Sequence, residues 1–360
     1  MATILITGGM GFIGLYVARA LAQRGDKVII FDLDCVSEIV QKGGSWGGAY
    51  IENGEGNSWL PEIAKFILGD YVQQAIFVHG DVLNISDLLD TMKRYDVEKI
   101  IHAAALFDPL IEFENPYEAF KINVSGAVST FEAARLQKIG RVIFLSSVAA
   151  YGIKQYEPIA ETHPTYSIET GSPSGPHGSV KVAAEVLGMT YFSAYDVNFI
   201  GLRIVAAFGV GMRLPLHIRP MVESAVNNLT CIFDKGEMQR EYMYIDDTVQ
   251  GILKALDVDS NLVSQRIFNI GSGIITSTQE LARVVQSVIP GADIQVGVGM
   301  SELEASNFRM RGRLDVTASN TQLGFSPKYD LKSGIAAYAQ DLRKYQSRSS
   351  SAMTTLINNK

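Results

Sequence analysis

Along the first two hundred residues, short apolar and β-branched runs alternate with amphipathic stretches. The runs at 3–7, 27–32, 75–80, 99–103, 141–146 and 198–204 are continuously apolar rather than alternating in polarity. That pattern predicts strands buried on both faces, as in a parallel sheet. Residues 12–24 and 117–138 carry apolar positions at helical spacing, and Gly25 and Gly140 stand where a glycine is expected to end each helix. Strand and helix in this rhythm predict an α/β fold built on a doubly wound parallel sheet.

Two segments break the rhythm. Residues 43–57 are rich in glycine and lengthen the connection between the second and third strands, which predicts a surface loop with a helix at about 60–68 after it. From about Gly209 the alternation loosens. The expected division is a Rossmann-type domain at 1–208, with 242–271 returning to it, and a smaller α/β substrate domain from 209–241 and 272–341. Residues 346–360, rich in serine at their start, are expected to form a flexible tail.

Composition narrows the function. A net charge of −7 argues against a nucleic-acid partner. Two cysteines, Cys35 and Cys231, give neither a disulfide framework nor a cysteine-rich metal site, and the five histidines form no metal-binding pair, so no metal is expected. Neither a secretory signal nor an apolar run long enough to span a bilayer is read, so a cytoplasmic location and no membrane partner are expected.

The sharpest signal is Thr7-Gly8-Gly9-Met10-Gly11-Phe12-Ile13-Gly14, between a predicted strand and a predicted helix. Gly8 permits a tight turn, Gly11 lets the backbone approach a pyrophosphate, and Gly14 lets helix and strand pack closely. The phosphates then meet free N–H groups around Phe12 and Ile13, where the helix dipole favours negative charge. Asp32 closes the second strand; its carboxylate suits both ribose hydroxyls of adenosine and repels a 2′-phosphate, which favours NAD over NADP. Asp34 is placed to share that role, and Asp81-Val82 suits contact with the adenine.

These residues resemble the opening of the extended short-chain dehydrogenases/reductases, the NAD-dependent epimerase/dehydratase type. The resemblance runs in order over roughly residues 2–340, through His102-Ala103-Ala104-Ala105, Asn123, Ser146 to Gly152, Leu202-Arg203 to Phe208-Gly209, Arg240-Glu241-Tyr242 to Asp246-Asp247, Phe268 to Gly271 and Leu323 to Pro327. It implies that Ala103 and Ala104 lie behind the nicotinamide and that Asn123 is structural. It also implies that Ser147 donates to a substrate oxygen, with Ser146 a weaker candidate. Lys181 would bond the nicotinamide ribose, Arg240 would contact a substrate diphosphate, and the chain would pair as a homodimer through helices such as 117–138.

One position departs. The family carries a tyrosine four residues before its lysine, on the same helix face; here that residue is His177, and the nearest earlier tyrosine, Tyr166, lies beyond Pro173 and Pro176. A phenol near pKa 10 needs a neighbouring cation to act as a base, whereas an imidazole near 6.5 is already largely neutral at pH 7. His177 is read as the working acid/base, with substrate binding alone and a purely structural role as alternatives. Ala206 stands where many nucleotide-sugar enzymes carry asparagine, and Val148-Ala149 where dehydratases carry an acidic pair. Arg213, Arg219, Arg309, Arg311 and Arg313 are further candidates to face the substrate. Three functions follow: an NAD-dependent epimerase or dehydrogenase on a secondary alcohol of a sugar or sugar nucleotide; an oxidoreductase or lyase-like enzyme on a smaller hydroxy or keto compound; or a non-catalytic NAD-binding protein.

Overall fold

A computed structural model describes residues 1–35, 60–107, 109–166, 168, 171–214 and 216–358. The glycine-rich stretch 43–57 lies outside them. Seven parallel strands form the central sheet: β1 (Thr3–Thr7), β2 (Lys27–Asp32), β3 (Ala75–His79), β4 (Lys99–His102), β5 (Arg141–Ser147), β6 (Phe199–Ile204) and β10 (Ile267–Ile270). Their order is β3-β2-β1-β4-β5-β6-β10. The chain leaves β1 in one direction and returns as β4 on its other side, so the order reverses between them, and the crevice there faces the glycine turn.

Successive residues of each strand feed opposite layers. Ile4, Ile6, Val28, Ile30, Ile101 and Ile143 join a core with Leu15 and Leu21 of the Phe12–Gln23 helix and Ile252 of the Ile245–Asp257 helix. Leu5, Ile29, Phe31, Ile100, Val142 and Phe144 join a second core with Leu88, Phe131 and Ala184. Two-sided burial is the reason these strands read as unbroken apolar runs.

Local chemistry sets the helix ends. Gly25 (φ 86°) follows the Phe12–Gln23 helix, and the next amide, Asp26 N–H, reaches back to Leu21 O at 3.0 Å. The stretch 117–138 ends differently from the sequence reading. Its last helix is Gly126–Leu136, and Lys138 (φ 52°) takes the left-handed position assigned to Gly140. Gly140 serves another purpose: a Cβ there would lie 3.2 Å from Glu98 O, where the chain passes the start of β4. The same stretch is interrupted by a π turn at Lys121–Ser125. That turn sets the Asn123 amide against the Leu106 backbone, accepting at 2.7 Å and donating at 3.0 Å.

After β6 two small sheets appear. β7 (Ala206–Phe208), β9 (Gln239–Tyr244) and β11 (Ile275–Ser277) make one, and β8 (Cys231–Phe233) with β12 (Ile294–Val296) the other. The stretch 242–252 therefore runs through β9 of the three-stranded sheet into the Ile245–Asp257 helix, while β10 lies in the main sheet. The final helix, Leu331–Asn358, continues through residues expected to be a tail. No helix among the described residues is long and apolar enough to cross a membrane.

Candidate active site

The glycine turn has the required shape. Gly8 has φ 67°, and a Cβ there would lie 2.5 Å from the Ala104 backbone. A Cβ on Gly14 would lie 2.6 Å from Gly8 O and 2.7 Å from Gly9 Cα, so only glycine lets the helix start this close to β1. Gly11, the N-cap of the Phe12–Gln23 helix, has no side chain to bond the first turn, and a Cβ there would meet only Gly8 O at 3.1 Å. Amides left uncapped at a helix N-terminus fit a pyrophosphate.

Asp32 sits at the end of β2 beside this turn. Its two oxygens accept from Met10 N–H at 3.0 Å and Asp34 N–H at 3.1 Å, which leaves further lone pairs for a ribose. Burial raises its pKa against the pull of those two bonds. Asp81 accepts from Leu83 N–H at 2.9 Å in the turn after β3, and Val82 packs where Gly126 has no side chain. Ala103 N–H donates to Thr7 O at 3.0 Å, which carries Ala103 and Ala104 to the crevice edge. Beneath them, the Nδ1 of buried His102 faces the hydroxyls of both Thr7 and Thr130, at 2.8 and 3.0 Å. Burial, then the charge of Lys181, push its pKa down to about 3, so its ring is neutral.

Ser147 ends β5 and accepts from Ala149 N–H at 3.1 Å. The Gly175–Tyr195 helix passes close over the turn that follows: a Cβ on Gly178 would sit 2.1 Å from Ala149 O. This glycine lets the start of the helix that carries His177 pack onto the turn that begins at Ser147. One helical turn on, the Lys181 ammonium donates to Leu145 O at 2.8 Å, keeping two further protons for other partners. Burial pushes Lys181 down to about 8, against the raising effects of Glu112 and Glu185. Ser146 is turned away from this group and donates to Glu185 Oε1.

His177 has two close neighbours that sequence reasoning missed. Its Nδ1 lies 3.0 Å from Glu112 Oε1, and both side chains are enclosed, at 13% and 3% exposure. The Phe107 ring lies over the imidazole, centroids 4.3 Å apart. Burial lowers the His177 pKa, helped by Lys181 and Arg311 and opposed by Glu112. Neither Tyr166 nor Tyr151 replaces it. Tyr166 is 64% exposed, and Tyr151 is buried with its hydroxyl on Asn269 Oδ1 at 2.6 Å and its pKa pushed up to about 12, chiefly by burial.

Next to Ser147, a pocket is lined by Val148, Tyr151, Ala206, Arg240, Met310 and Arg311 among others. Of the five candidate arginines beyond Gly209, this pocket selects Arg311. It donates to Ser174 Oγ at 3.2 Å, while its Nε is buried with no hydrogen-bond partner among the described residues. Burial, then the charge of Arg240, weaken its hold on its proton. The cavity they share is small, about 20 Å³, and the Glu241 carboxylate lines it too, accepting from Gly273 N–H at 2.8 Å and Leu314 N–H at 3.2 Å. A larger cleft of about 470 Å³ lies at the opposite end of the sheet, around Lys99, Arg141 and Asn198. There Arg141 and Lys99 donate to Ala255 O and Leu256 O at 3.0 and 3.1 Å, closing the carboxyl end of the Ile245–Asp257 helix. That end lacks the glycine turn and the Ser147 group.

Residues 4–271 match the model of the NAD dependent epimerase/dehydratase family, so the chain belongs to that family and NAD is its cofactor. A putative UDP-glucose 4-epimerase of Methanocaldococcus jannaschii is 28% identical over 92% of this chain and 95% of its own length. Among solved structures, the UDP-glucose 4-epimerase of Thermotoga maritima with UDP-glucose superposes with a TM-score of 0.73 at 23% identity, covering 95% of this chain and 99% of that one. The UDP-glucuronic acid 4-epimerase of Bacillus cereus, in complex with UDP-glucuronic acid and NAD, gives 0.73 at 20% identity over the same shares.

Proposed function

We propose that this enzyme epimerises or oxidises a secondary alcohol of a sugar nucleotide, with His177 as the acid/base. The observation that carries this reading is that Arg240 and Arg311, which act on one another electrostatically, both line the small cavity beside Val148. Paired guanidiniums suit a diphosphate, and the relatives named for UDP-sugars support the same substrate class. The amides after Gly11, the Asp32 carboxylate, Asp81 with Val82, Ala103 with Ala104, and Lys181 would hold NAD from its pyrophosphate to its two ribose ends. When bound, NAD supplies the acceptor and donor of hydride.

The protein's own groups then move one proton. The neutral His177 imidazole takes it from the reacting hydroxyl, while Ser147 donates a hydrogen bond to the same oxygen. Returning the proton closes the cycle. Because burial holds His177 below its ordinary value near 6.5, the base is free throughout the neutral range, and activity falls only on acidification below that value. The lysine charge, which a phenol base would need, is here an inhibitor of protonation at His177.

In this reading residues 209–241 and 272–341 form the substrate-binding part and 1–208 the NAD-binding part. A homodimer is supported by exposed apolar side chains on the two helices it would use, Leu136, Val186 and Met189 at 48%, 60% and 37% exposure. A cytoplasmic location is supported by two buried free thiols, Cys35 and Cys231. Calorimetry with UDP and dTDP on the NAD-loaded enzyme tests the substrate class. Binding that weakens at least tenfold in Arg240→Met is the expected result; absence of nucleoside diphosphate binding would favour a smaller hydroxy compound.

A further inference from the structure

We infer that Glu112 is the positioning residue of the site, which accepts the Nδ1 proton of His177 and so leaves Nε2 as the atom that exchanges a proton with substrate. The inference rests on the reading of His177 as acid/base. It goes further in assigning the tautomer and naming the group that enforces it.

Tyrosine and histidine differ in how many atoms can carry the proton. A phenol has one oxygen and one proton site, so a tyrosine in this place needs no partner to choose between atoms. An imidazole has two nitrogens, and in the neutral ring one donates while the other accepts. A histidine can replace the tyrosine reliably only if something decides which nitrogen keeps its proton. An ionised carboxylate is acceptor only. Glu112 Oε1, 3.0 Å from Nδ1, therefore demands a proton on that nitrogen.

Glu112 answers to two charged groups, His177 through a hydrogen bond and Lys181 through its charge alone. Its side chain is 3% exposed in the short helix Pro109–Glu114, and a buried carboxylate is costly unless paired. It lies 65 residues from His177 in sequence, so the fold rather than local spacing makes the pair. Phe107 covers the ring face at 4.3 Å between centroids, so one segment after β4 grips the imidazole at its edge and on its face. The charged groups acting on His177 are Glu112, Lys181 and Arg311: two cations that disfavour protonation and one anion that opposes them. Removing the anion leaves the cations unopposed.

The test is nitrogen NMR of the histidine rings in the full chain with NAD, on wild type, Glu112→Gln and Glu112→Ala, with His177→Ala to assign the signal. Wild type should show His177 in one neutral tautomer, protonated on Nδ1. Glu112→Gln retains an oxygen acceptor, so it should keep that tautomer while the ring pKa falls. Glu112→Ala should give a mixture dominated by the Nε2-protonated form. On a sugar nucleotide that is turned over, Glu112→Ala should lower kcat roughly 10–100-fold at unchanged KM, with the acid limb of the pH profile moved to lower pH. A wild-type ring protonated on Nε2, or a tautomer indifferent to Glu112→Ala, overturns the inference. Glu112→Gln, close to isosteric, decides through its ring pKa if the alanine variant does not fold. Failure of the parent reading looks different: His177→Ala would still turn over substrate, whatever the tautomer.

Discussion

Replacing His177 with alanine should lower kcat by about 10²- to 10⁴-fold, the usual contribution of a positioned general base, while NAD affinity stays nearly unchanged. The reasoning separates the two functions by place. The proposed dinucleotide contacts are the glycine turn, Asp32 and the ends of β3 and β4, away from the imidazole, with Lys181 alone acting on both. His177 instead sits on the Gly175–Tyr195 helix, held by Glu112 and Phe107. Neither Tyr166 nor Tyr151 is placed to take over: Tyr166 is 64% exposed, and the Tyr151 hydroxyl is committed to Asn269. Steady-state kinetics with NAD titration checks both parts. Turnover that survives the substitution would return His177 to the substrate-binding or structural alternatives.

The largest stability effect should come from Glu185→Ala, a loss of about 3–5 kcal/mol. Glu185 and Arg203 are nearly inaccessible, with side chains 5% and 6% exposed, and the guanidinium binds both carboxylate oxygens, at 3.0 and 2.7 Å. Burial opposes the Arg203 charge, yet the Glu185 bonds outweigh it and raise its pKa. Removing the carboxylate strands that charge and leaves the Ser146 hydroxyl without its acceptor. Arg203 also lies over the Tyr151 ring at 4.5 Å, so the damage reaches the pocket wall. A urea midpoint that falls while the slope holds is the expected readout. An unmoved midpoint would mean that the pair is not buried as described.

The sequence was most legible where function depends on neighbours along the chain. The turn from Gly8 to Gly14, the strand-closing Asp32 and the His177–Lys181 spacing are all local, and the structure brings them to the carboxyl end of the sheet. It was least legible where the fold supplies the partner. Glu112 belongs to no recognisable motif; its one trace is an acidic residue set among apolar ones in Pro109-Leu110-Ile111-Glu112-Phe113. Five arginines beyond Gly209 look alike in sequence, and only packing puts Arg311 opposite Arg240. Gly140 was misread as a helix stop because Lys138 accepts the left-handed conformation one residue after the helix cap. Such choices depend on tertiary contacts, which helix and turn rules do not see.

The account depends on a dinucleotide held at the amides after Gly11 bringing its nicotinamide beside His177. Titrating NAD while following the five histidine rings by NMR tests this without any substrate. The positive charge of the nicotinamide should shift the His177 signals saturably and lower its pKa further, while His217, bonded to Thr278 at 2.7 Å, stays still. A His177 ring that ignores saturating NAD would contradict the account.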